Sequence, residues 1–144
     1  MEGTHMTATL ASLGLLLIRL VFGLTFAAHG AQKLFGWFGG YGLEGTGQFF
    51  DSIGVKPGKP MATLAGLGEF GGGLLFAAGL ATPLAALVIT VTMLVAIFTV
   101  AGKNGYWATA NGWEYNAAII VVAIGVALTG PGAYALDAVL HLWS

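Results

Sequence analysis

The chain has 144 residues, of which 57% are hydrophobic and only 8% charged, with five Lys/Arg against six Asp/Glu. A soluble globule this small has too few polar groups here to clothe its surface, and a disordered chain needs the opposite composition. The net charge of −1 excludes a basic nucleic-acid footprint, and the lack of cysteine excludes disulfides, thiol nucleophiles and cysteine-held cofactors.

What remains is one small all-α membrane domain. Residues 1–6 (MEGTHM) read as an appended or disordered N-terminus, which removes His5 from the ligand candidates, and 7–144 as the domain. A crossing helix needs about 20 mostly apolar residues, and four stretches answer to this. The first covers about 9–34 and carries Arg19, and the second, 61–80, carries Glu69. The third, 83–102, is free of charge and opens on Pro83, which suits a first helical turn. The fourth, 114–129, is short and is extended by 134–142 beyond Gly130-Pro131-Gly132. The apolar runs are continuous rather than alternating, so a β-barrel is excluded. The expected architecture is a four-transmembrane-helix bundle with a structured aromatic and Gly-rich loop between helices 1 and 2.

Two connections carry most of the polar chemistry. That from His29 to Pro60 holds Lys33, Phe35, Trp37, Phe38, Tyr41, Lys56 and Lys59, with 46–52 forming a short interfacial helix. The second holds Lys103, Tyr106, Trp107 and Trp113. Trp and Tyr gather at membrane–water boundaries. Both connections fall at one end of the bundle, and their four lysines place that end in the cytoplasm by the positive-inside rule.

Ionisable groups within a span are costly and take a partner. Counting from Gly30 and Met61, Arg19 lies about 16 Å deep and Glu69 about 12 Å at 1.5 Å per residue, which predicts a direct Arg19–Glu69 pair. Arg19, Phe22, Phe26, His29 and Lys33 share one face of the first helix. Ala62, Gly66, Gly72, Gly73 and Phe76 flank Glu69 as a small-residue packing stripe, closing the monomer's own bundle or joining two copies. Glu114 opens the fourth span at the same end as His29 and Lys33. The candidate proton-handling groups are therefore Glu69, Glu114 and His29. Arg19 and Lys33 are the candidate ligand-polarising groups, with Trp37, Trp107, Trp113 and Tyr115 as aromatic walls. Each also has a structural reading: an ion pair fixing helix register, a helix cap, or an interfacial anchor.

Arg19-Leu20-Val21-Phe22-Gly23 and His29-Gly30-Ala31-Gln32-Lys33-Leu34-Phe35-Gly36 resemble the opening signature of the DoxX family. Gly68-Glu69-Phe70-Gly71-Gly72-Gly73, the Gly-Leu-Ala-Thr turn at 79–82, Asn111-Gly112-Trp113-Glu114-Tyr115-Asn116 and Gly130-Pro131-Gly132 with Tyr134, Leu136 and Asp137 match as well. Lys103 stands near a position where relatives often carry His. The resemblance implies a bacterial or archaeal multi-pass protein of the cell membrane, associated with quinone-linked oxidoreductase complexes and soluble partners. The sequence thus points to a redox-associated subunit binding a quinone-like amphipathic molecule near Arg19, Glu69 and Glu114, with no covalent cofactor and no metal. A membrane scaffold for soluble oxidoreductases, and a small transporter or channel, are the alternatives.

Overall fold

In lipid a backbone must satisfy its own hydrogen bonds, and among the described residues every regular element is helical. The computed structural model describes residues 1–142; residues 143 and 144, assigned to the domain from sequence, lie outside the described residues. Helix α1 is Glu2–Phe35, α2 Gly42–Ser52, α3 Gly58–Ala78, α4 Thr82–Ala96, α5 Glu114–Thr129 and α6 Leu136–Val139. Segment 1–6, set apart by its composition, is helical from Glu2 onward. A π-turn at Ile97–Ala101 and a 3₁₀ turn at Gly102–Asn104 carry α4 to Asn104. The stretch 134–142 keeps only the single turn of α6.

Among the described residues three segments, α1, α3 and Thr82–Asn104, are long and apolar enough to cross a membrane. Helix α5 is equally apolar but shorter, with 16 residues. The protein is an all-α membrane protein.

Glycine sets how these helices pack. A Cβ on Gly23 would lie 2.6 Å from the Ala77 amide nitrogen and 2.7 Å from the Gly73 carbonyl oxygen. On Gly73 it would strike the Ala27 amide and the Gly23 carbonyl in return, and Gly30 meets Phe70 and Gly66 in the same way. Numbers rise on α1 as they fall on α3, so the two run antiparallel with their backbones in direct contact. Membrane helices lack a hydrophobic drive to associate, and close approach through small residues supplies dispersion contacts instead. The stripe expected around Glu69 divides: Gly66 and Gly73 face α1, whereas Gly72 faces Val88 and Ile89 of α4.

Helix α4 turns back on α3 through residues 79–81, and α5 packs chiefly on α4. Phe26 of α1, Phe76 of α3, Ile89 and Met93 of α4, and Ile119 and Ala123 of α5 share one core. The connections 36–57 and 102–113 leave from the same end of these helices. The N-terminus, α6 and the 79–81 turn lie at the opposite end.

Candidate functional site

Two ionic centres occupy opposite ends of the bundle, and they do not contain the expected pair. Glu69 is held by Lys33: Nζ lies 2.8 Å from Oε2 and 3.0 Å from Oε1. The Glu69 side chain is 6% exposed and that of Lys33 25%, so the carboxylate is buried while the ammonium keeps contact with its surroundings. The Arg19–Glu69 pair is therefore corrected to Lys33–Glu69. Arg19 precedes Lys33 by 14 residues, or about 21 Å of helix.

The physical reason is register. Depth counting set Gly30 level with Met61, yet the backbone contacts set it level with Gly66 and Phe70. That slide of about two turns carries Arg19 past Glu69 to the 79–81 turn. Lys33, on the same helical face, reaches Glu69 along its flexible stem.

His29 lies one turn before Lys33 and stacks on Tyr115 of α5, with ring centroids 5.3 Å apart and planes inclined at 48°. His29 is near enough to Lys33, and Tyr115 to Glu69, to feel their charges. Four of the candidate residues thus converge from three helices: His29 and Lys33 on α1, Glu69 on α3, Tyr115 on α5. Together they offer a cation, a carboxylate, an imidazole and a phenol within an apolar surround, a donor and acceptor set suited to a carbonyl or hydroxyl oxygen.

The other candidates stand apart. Glu114 Oε2 accepts the Ala108 amide at 2.9 Å, so it braces the 102–113 connection and does not join a cluster with Arg19 and Glu69. Trp107 and Trp113 pack edge-on against Tyr106 at 5.1 and 4.7 Å. Trp37 packs on Phe35 at 4.7 Å, and with Phe38, Phe70, Leu24, Ala27, Ala28 and Ala31 it lines an apolar groove of about 240 Å³. By helical angle that groove lies on the far flank of the α1–α3 seam from His29 and Lys33. Exposed Lys59 pairs with Glu44 at 2.6 Å and holds that carboxyl below the ordinary range.

Arg19 belongs to the second centre. It is 1% exposed, Nη2 donates to the Tyr134 carbonyl at 2.9 Å, and the side chain sits in the field of Asp137. The guanidinium lies where a Cβ on Gly79 would be, and φ of +65° at that residue also favours glycine. Asp137 in turn accepts the amides of Ala81 and Thr82 at 2.7 and 2.9 Å and the Thr82 hydroxyl at 2.6 Å. The orphan amides that open α4 are thereby satisfied by a carboxylate 55 and 56 residues away in sequence. Spacing did not single out Asp137 as Arg19's neighbour; its only signal was the Asp that follows Gly130-Pro131-Gly132. Asp137→Ala should cost about 1–3 kcal/mol for each buried donor left unpaired. Asp137→Asn, which keeps an acceptor, should fall between that variant and the parent in detergent unfolding.

Comparison with known proteins agrees with this architecture. The DoxX family model matches residues 14–102. The chain is 36% identical over 125 residues to "Putative oxidoreductase CatD" of Bacillus subtilis (strain 168), covering 87% of this chain and 85% of that protein. It is 31% identical over 132 residues to "Inner membrane protein YqjF" of Escherichia coli (strain K12), covering 92% and 95%. No solved structure matches. The matched segment includes both Arg19 and the Lys33–Glu69 pair, and with relatives aligned along most of their own length, the chain belongs to the DoxX family.

Proposed function

We propose that this protein is a redox-associated subunit of a bacterial or archaeal cell membrane that binds a quinone-like amphipathic molecule at Lys33, Glu69, His29 and Tyr115. The observation that carries the reading is the two-oxygen contact between partly exposed Lys33 and buried Glu69, beside the His29–Tyr115 stack. The Lys33 ammonium polarises a ligand oxygen, and Glu69 and His29 are the groups available to exchange its protons. Helix α5, about 24 Å long at 1.5 Å per residue, makes the fourth crossing with help from residues 130–139. The lysine-bearing connections face the cytoplasm.

A soluble oxidoreductase partner works from that end, where Trp37, Phe38, Tyr41 and Trp107 are exposed. The name of the B. subtilis relative, a putative oxidoreductase, favours redox work over transport. Transport is further disfavoured by Phe26, Phe76, Ile89 and Ile119, a dry layer between the two ionic centres.

Photo-crosslinking the full chain in lipid nanodiscs with an azido-quinone tests the assignment. Label should map to peptides bearing His29–Lys33 and Tyr115 and be displaced by unlabelled decylquinone. Label spread evenly over lipid-facing residues, or undisplaced, would leave a scaffold as the better account.

A further inference from the structure

Helix α1 packs along α3 over much of its length but meets α5 only briefly, while α5 leans on α4. The contact of α1 with α5 includes the His29–Tyr115 stack. At that level two rings meet, and Lys33 and Glu69 are near enough to act on them electrostatically. Tyr115 is 36% exposed, so the outer ring already faces the surroundings. By helical angle Ile18 and Thr25 lie on the His29 flank of α1, and both are exposed, as is Ala118 close after Tyr115 on α5. The α1–α3 seam cannot serve as an entrance, because its glycines leave no side chains to move aside.

We infer that the α1–α5 seam is a lateral portal by which a bilayer-dissolved ligand with an acceptor oxygen reaches Lys33 and Glu69, with the His29 and Tyr115 rings as its gate. This rests on the functional reading above for the ligand, but the portal itself is a statement about access to Glu69. Rotation of one aromatic side chain opens the way, and such motions are fast compared with helix displacement. A ligand that enters from lipid keeps its apolar body in the bilayer and desolvates only its polar head.

The chain has no cysteine, so one engineered pair can lock the gate cleanly. The His29→Cys/Tyr115→Cys protein would be closed in nanodiscs by oxidation or by a short thiol-to-thiol linker, then compared with its own reduced form. The readout is modification of Glu69 by dicyclohexylcarbodiimide, a bilayer-soluble carboxyl reagent, followed by mass spectrometry. Labelling should fall at least tenfold on locking and return on reduction, and a water-soluble carbodiimide should label more slowly than the lipophilic one. Equal labelling of locked and reduced forms, or faster labelling from water, would overturn the portal. Should the double variant not fold, Tyr115→Trp should slow labelling and Tyr115→Ala should speed it, and no change in either overturns the portal equally. Decylquinone added to the native chain separates the two claims: failure to protect Glu69 counts against the quinone reading and leaves the portal result standing.

Discussion

Replacing Lys33 by methionine is expected to destabilise the protein by about 3–5 kcal/mol, because it strands a buried carboxylate without its counter-ion. Glu69→Gln should cost less, since Lys33 is 25% exposed and its flexible stem can carry the ammonium toward the interface. The Lys33→Met/Glu69→Met protein should recover most of the loss, as buried ion pairs replaced by apolar groups of like volume are often neutral or stabilising. This pattern separates the observed partner from the expected one. Arg19→Met and Glu69→Gln should add to within about 0.3–0.5 kcal/mol, as distant sites do, whereas Lys33→Met and Glu69→Gln should be strongly coupled. Equilibrium unfolding in mixed micelles reads all of these. Strong coupling of Glu69 to Arg19 would contradict the geometry.

The second large effect concerns one methyl group. Gly73→Ala places a Cβ 2.5 Å from the Ala27 amide nitrogen and 2.5 Å from the Gly23 carbonyl oxygen, and backbone atoms in a helix cannot step aside. The cost should lie at or above about 3 kcal/mol, the upper end of ordinary overpacking, because α1 and α3 must separate along the seam. Gly71→Ala supplies the control two residues away. A Cβ there meets nothing within 4 Å, so that variant should unfold no earlier than the parent. Its helix propensity improves by about 1 kcal/mol. If the two variants unfold alike, direct backbone contact between α1 and α3 is not what holds them together.

Much of the fold was legible because lipid simplifies the problem. Runs of apolar residues, the short turn before Pro83 and the clusters of Trp and Tyr report the all-helical class, neighbour order and shared ends with little help from packing. The register of α1 against α3 was not legible. It depends on which glycines touch backbone to backbone, and Gly23, Gly30, Gly66 and Gly73 cannot be matched by counting from presumed interface positions. One slide of the helices was enough to exchange Arg19 for Lys33 as the partner of Glu69. Of the candidate residues, His29, Lys33, Glu69 and Tyr115, which the structure brings together, stand out in the sequence by their rarity or position in the spans. Asp137 does not, because the turn it secures at Ala81 and Thr82 lies far from it in sequence. Glu114 was placed at the correct end of α5 with a local partner, the Ala108 amide, that spacing alone does not reveal.

Lys33 and Glu69 are proposed to form a ligand-binding centre as well as a structural one. Titrating decylquinone into nanodiscs that hold either the native chain or the Lys33→Met/Glu69→Met protein tests it directly, provided both unfold at similar denaturant concentration. Affinity should fall at least tenfold in the double variant while its fold persists. Unchanged affinity in that folded protein would contradict it and reduce the pair to a packing device.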